Sequence, residues 1–152
     1  MSLAVETRAV PLRIVGLDGR ATEGELFLHT VAERTARPES VDDRLNGGIA
    51  FVPVRIGGRV ELLNLDHVAY LAGAGELPEV GARLEVGARR ERVEFDLAHG
   101  ETLVGELVYT LPPGHARVSD LLNQPGERFL LLVAEAETLF VRRGSVVRAR
   151  TG

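Results

Sequence analysis

Gly24-Glu25-Leu26, Asp43-Arg44-Leu45-Asn46 and Phe51-Val52-Pro53-Val54 decide the fold, because all three return later in the chain in the same order. The first comes back as Gly105-Glu106-Leu107. The second, preceded by Arg37, comes back as Asp120-Leu121-Leu122-Asn123 preceded by Arg117, and the third as Phe129-Leu130-Leu131-Leu132. Self-similarity at a near-constant offset predicts a folding unit of about 60 residues present twice. The expected organisation is a first unit over 8–72, a linker over 73–90 and a second unit over 91–150. A unit of that size buries only roughly 60% of its unfolded surface, so the copies are expected to pack together or to associate with further chains.

Each copy reads as strands. Ala9 to Gly16 is apolar and extended in pattern, Asp18-Gly19 supplies the positive φ of a tight hairpin turn, and Thr22 to Thr30 returns. In the second copy Val93-Glu94-Phe95-Asp96-Leu97 alternates strictly, His99-Gly100 turns, and Leu103 to Tyr109 returns. Loops are expected over 31–41 and 110–118. Ser40-Val41-Asp42-Asp43 is a helix-capping pattern that predicts one short helical turn before Leu45, and Ser119-Asp120 repeats it. The apolar runs Ile49 to Ile56 and Phe129 to Ala134 predict strands buried on both faces. Gly57-Gly58 and Glu135-Ala136-Glu137 turn the chain into last strands over Arg59 to Leu71 and Thr138 to Arg150. Between the copies, Gly73, Gly75, Pro78, Gly81 and Gly87 interrupt regular structure, with an extra strand over Glu79 to Val86 as the alternative.

This pattern resembles the Sm-like family of small five-stranded β-barrels. Copy one carries Asp18-Gly19-Arg20, Gly24-Glu25-Leu26, Asp42-Asp43-Arg44-Leu45-Asn46 and the closing Asn64-Leu65-Asp66-His67-Val68. Copy two carries Gly100, Gly105-Glu106-Leu107, Ser119-Asp120-Leu121-Leu122-Asn123 and the closing Arg142-Arg143-Gly144-Ser145-Val146. The resemblance implies an all-β fold: two tandem Sm-like five-stranded barrels, or strongly bent sheets, related by a pseudo-twofold. It further implies that Asp42, Asn46, Asp120, Asn123, Arg142 and Arg143 are binding residues, at positions where such proteins line an RNA base pocket. Asn can hydrogen-bond a base edge and Arg can pair with phosphate. The residues themselves leave a second reading open, in which Asn46 and Asn123 turn or cap the chain through their side-chain amides. Arg89-Arg90-Glu91-Arg92 and Arg142-Arg143 with Arg148 and Arg150 are basic clusters that read either as a phosphate-contacting patch or as solvated strand ends.

Composition narrows the function classes. The net charge of −4 argues against broad attraction to nucleic acid or anionic membrane, and all 18 basic residues are arginine. No cysteine is present, so disulfides and thiolate chemistry are excluded. His29, His67, His99 and His115 lack metal-ligand spacing, no Gly-x-Ser-x-Gly elbow exists, and a phosphate loop needs a lysine that the chain lacks. No apolar run reaches membrane-span length, and no charged segment leads into an apolar one near residue 1, so a cytoplasmic protein is expected. The expected function is a non-enzymatic binding or assembly module without a cofactor. Its expected partners are further copies of itself, single-stranded RNA or another protein; a scaffold that recognises a partner along an exposed strand edge, and a small-ligand sensor between the copies, are the alternatives.

Overall fold

The computed structural model describes residues 7–30, 37–112, 114 and 117–152. Residues 31–36 of the first expected loop, and Pro113, His115 and Ala116 of the second, lie outside them. The first half runs β1 (Thr7–Gly16), β2 (Ala21–His29), α1 (Val41–Leu45), β3 (Phe51–Ile56), β4 (Arg59–Asn64) and β5 (Val68–Ala74). A helix, α2 (Pro78–Glu85), leads into the second half: β6 (Arg89–Leu97), β7 (Thr102–Tyr109), α3 (Val118–Asn123), β8 (Phe129–Val133), β9 (Glu137–Arg142) and β10 (Val146–Thr151). No helix among the described residues is long and apolar enough to cross a membrane.

The hairpins fall where the turn residues require them. Gly19 and Gly100 sit at φ 83° and 104°, a region in which glycine carries no Cβ penalty. The capping pattern before Leu45 is realised as well: the Asp43 amide donates to Ser40 Oγ at 3.2 Å, and the Ser40 amide donates to Asp43 Oδ2 at 3.1 Å. The repeated Gly24 and Gly105 mark close backbone crossings. A Cβ on Gly105 would stand 2.5 Å from the Val133 carbonyl oxygen, and one on Gly24 3.1 Å from that of Arg55.

The ten strands of the described residues form one antiparallel sheet in the order β10-β6-β7-β8-β9-β5-β1-β2-β3-β4, not closed into a barrel. Each half contributes its strands in the same order, with the last strand beside the first. The registers repeat too. Glu25 pairs with Arg55 and Leu26 with Val54, as Glu106 pairs with Val133 and Leu107 with Leu132. Phe51 lies opposite Asn64 as Phe129 lies opposite Arg142. Gly16 lies opposite Val68 as Leu97 lies opposite Val146, each beside a register shift.

Two expectations change at the junction. The halves are not separate barrels, because β5 pairs along its length with β9, from Tyr70 opposite Val141 to Ala74 opposite Glu137. Nor does the sheet topology join them by a twofold, which would bring like edges together. The counterpart of β5 is β10 and that of β9 is β4, so the junction joins unlike edges, head to tail. Burial explains its strength. One core gathers Val41, Leu45, Leu71, Phe129, Leu131 and Phe140, and the other gathers Tyr70, Ala72, Leu130, Leu132, Leu139 and Val141. Strands β5, β8 and β9 therefore send alternate side chains into both cores. Each large apolar side chain so buried contributes about 1.5–3 kcal/mol.

Three local readings are also corrected. The interval 73–90 is not plain linker: β5 continues to Ala74, and Pro78 opens α2, where its missing N–H costs nothing. The segment Glu79 to Val86 is accordingly helical as far as Glu85 and then turns, and forms no strand. Strand β3 is buried on one face only, with Val52 and Val54 inside and Phe51 exposed, whereas β8 fits the two-faced reading. The long last strands are each broken by a single 3-10 turn, Leu65–His67 and Arg143–Ser145.

Candidate functional site

The six residues singled out in the sequence do not converge on one pocket; each closes a bond within the chain. Asn46, at the end of α1, accepts from the Phe129 amide at 2.8 Å and reaches the Phe129 carbonyl oxygen at 3.5 Å, which ties the first half to β8. Asp42 Oδ2 accepts from Arg83 at 2.8 and 3.1 Å. Asn123 donates to the Ser119 carbonyl at 2.8 Å, and Asp120 accepts from the Arg117 amide at 3.1 Å. Arg142 Nε donates to the Val68 carbonyl across the junction at 2.7 Å. Arg143 donates to the carbonyls of Leu121, Gln124 and Glu127 and so pins the segment after α3. Burial lowers the pKa of Arg143, against the pull of Glu127.

Arg83 and Arg143 both line a cleft of about 230 Å³ with Tyr109, Leu121, Pro125 and Glu127. Arg83 is committed within it. Its guanidinium binds Asp42 and Glu127, each at 2.8 Å; burial works against its charge, but the two carboxylates outweigh burial and raise its pKa. Burial and a bond to Glu91 push the Tyr109 hydroxyl up to about 12. The cations of the cleft thus face carboxylates and carbonyls of their own chain.

A second polar line joins the hairpins of the two halves. Tyr70 donates to Glu101 at 2.8 Å, and His99 Nε2 meets the same carboxylate at 3.0 Å. The His99 ring packs so closely on the first turn that a Cβ on Gly19 would stand 2.9 Å from it. Burial is the main cause of the raised Tyr70 pKa, and Arg13 lies 6.0 Å from its ring centroid. This line fastens one half to the other. Among the described residues, no group of three or more His, Asp or Glu is placed to hold a metal ion.

The two ends of the sheet are different in kind. Strand β4 is an edge, and it exposes Val60 and Leu62 at 63% and 70%, beside Phe51 at 52% on β3. Its counterpart β9 buries Thr138, Leu139, Phe140 and Val141. Strand β10 is the other edge, with Val147 at 61%, whereas its counterpart β5 is buried from Val68 to Gly73. Beside β10 lies a cleft of about 320 Å³ lined by Val118, Leu122, Ala149 and Thr151. An open edge offers unpaired N–H and C=O groups to any strand that can align with it. Sequence reasoning missed this contrast, although the charged Arg59 and Glu61 of β4, against the continuous Leu139-Phe140-Val141 of β9, carry a local trace of it. No protein-family model, curated protein or solved structure matches this chain.

Proposed function

We propose that this chain is a non-enzymatic assembly module, a doubled unit of Sm-like type, that takes up partners by strand addition at its open edges. The observation that carries the proposal is the difference in burial between β4 and β9: the same place in the repeat is covered in one half and bare in the other. Supporting it, the strand order of each half is repeated, and α2 stands directly before the second hairpin, where an Sm-like unit carries its leading helix. Edge addition uses main-chain hydrogen bonds for affinity and alternate side chains for choice of partner. The six polar residues are spent on bonds inside the chain, which favours assembly over contact with single-stranded RNA.

Solution mass measured together with ultraviolet absorbance tests the proposal. Two tyrosines and no tryptophan leave the protein nearly transparent at 280 nm, so bound RNA would dominate the spectrum. The expected result is a particle larger than the 16.5 kDa chain with a protein-only spectrum. A chain that stays monomeric and partnerless, or one that carries RNA as a monomer, overturns the proposal.

A further inference from the structure

The cleft beside α3 holds a charge that the repeated fold does not require. Arg142 lies opposite Phe129 as Asn64 lies opposite Phe51, so the residues that follow, Arg143 and Leu65, are counterparts. Each opens a 3-10 turn. The first half closes that turn with a leucine buried completely, whereas the second puts a guanidinium there, on the wall of the cleft. We infer that this cleft binds a small monocarboxylate with a compact apolar body, its carboxylate held by Arg143. The inference goes beyond the assembly reading and does not depend on it.

The charge in the cleft is unbalanced. Arg143 Nε and Nη1 donate to the carbonyls of Glu127, Leu121 and Gln124, but Nη2 makes no bond, and no carboxylate among the described residues is bonded to this guanidinium. Gly126 leaves Nη2 uncovered: a Cβ there would stand 3.6 Å from it. The other cation on the wall, Arg83, already holds Asp42 and Glu127. Arg143 is therefore the one left over. Burial works against an unpaired cation, and an arriving carboxylate relieves it through a charge-assisted bond from Nη2. Gln124 lines the same wall, and its side-chain amide, bonded to nothing among the described residues, gives a second donor.

The rest of the lining sets the body of the ligand. Leu107, Tyr109 and Leu130 are buried and form an apolar floor, with Leu111, Pro112 and Pro125 around it. The Tyr109 hydroxyl is taken by Glu91, so its ring is what faces a ligand. At about 30 Å³ for a water-sized group, a volume of about 230 Å³ holds roughly eight heavy atoms, enough for a carboxylate on a branched or aromatic body. A phosphate would bring a second negative charge beside Glu127, and a nucleotide exceeds the space. Of the six residues that the Sm-like resemblance points to, Arg143 alone lines the cleft, and Asn123 closes on the Ser119 carbonyl instead.

Saturation-transfer NMR observed on the ligand works at any size of assembly, and benzoate is the probe. Benzoate should bind the full chain about tenfold or more tightly than benzamide, which has the same ring and no charge. Gly126→Val should abolish the transfer without lowering the unfolding temperature, because that glycine lies outside the left-handed region and its Cβ would make an ordinary contact. Arg143→Leu, the first half's own choice, should bring benzoate down to the level of benzamide; should that variant fail to fold, Gly126→Val still decides. Equal affinity for benzoate and benzamide, or benzoate binding untouched by Gly126→Val, overturns the inference. So does an absence of transfer to both benzoate and 4-methylpentanoate, or an oligouridylate that displaces benzoate at lower concentration. A monomer that binds benzoate supports the site and counts against the assembly reading alone.

Discussion

Arg13 and Glu137 belong to different halves of the chain, yet their side chains meet across β5 in a two-point ion pair. The bonds to Glu137, then the contact with Tyr70, raise the Arg13 pKa against the effect of burial. Both side chains are about one-third exposed, so water screens the pair. A double-mutant cycle with Arg13→Ala and Glu137→Ala, read by urea unfolding, should give a coupling of about 0.5–1 kcal/mol. Strict additivity would remove this pair from the account of the junction.

Asn46 and Asn123 are equivalent in sequence but not in what they hold. Asn46→Ala leaves the Phe129 amide without its partner and should destabilise the fold by about 1–3 kcal/mol. Asn123→Ala removes one exposed local bond and should cost about 0.5 kcal/mol. Thermal unfolding of the two variants checks the difference. Equal stability losses would contradict the assignment of Asn46 to the junction.

Gly105 has no space for a side chain. With the Val133 carbonyl 2.5 Å from the would-be Cβ, Gly105→Ala must push β7 and β8 apart, and a loss of about 1–3 kcal/mol is expected. Gly24→Ala meets a looser crossing at 3.1 Å and should lose less. Denaturant midpoints for the two variants decide whether the repeated glycine is kept for this crossing.

Asp96 gives the β10 edge a pH dependence. Bonds from Arg150 and then Thr102 hold its carboxyl well below the ordinary carboxylate value of 3.8. A group depressed in the folded state binds its proton more readily when unfolded, so its contribution is present above pH 3.8 and is lost as the pH falls below it. Stability measured from pH 6 to pH 3 should decline in that lower interval, and Asp96→Asn should flatten the decline. An unchanged acid limb in the variant would remove Asp96 from this role.

Much of each half was readable because its signals are local. Asp18-Gly19 and His99-Gly100 specify turns by backbone conformation, Ser40 and Asp43 cap a helix they adjoin, and Gly24 and Gly105 recur at the same crossing. The joint between halves was not readable. β5 and β9 are both apolar segments, and no pairing rule selects one partner from several such runs far apart in the chain. Helix α2 was hidden by Gly75, Gly81 and Gly87, although Pro78 at its start and Val80 and Leu84 on one face are helical signals. For Asn46 the residue type pointed to a turn or cap, but its partner lies 83 positions away and leaves no trace in the local sequence.

Amide hydrogen exchange followed over a range of protein concentrations tests assembly at the open edges most directly. The amides of β5 and β9 should be protected at every concentration, because their ladder lies inside one molecule. Protection of β4 and β10 should rise together as the protein is concentrated and vanish on dilution. If both outer strands exchange rapidly at all concentrations while the inner ladder stays closed, the open edges of the sheet take up no strand and the account fails.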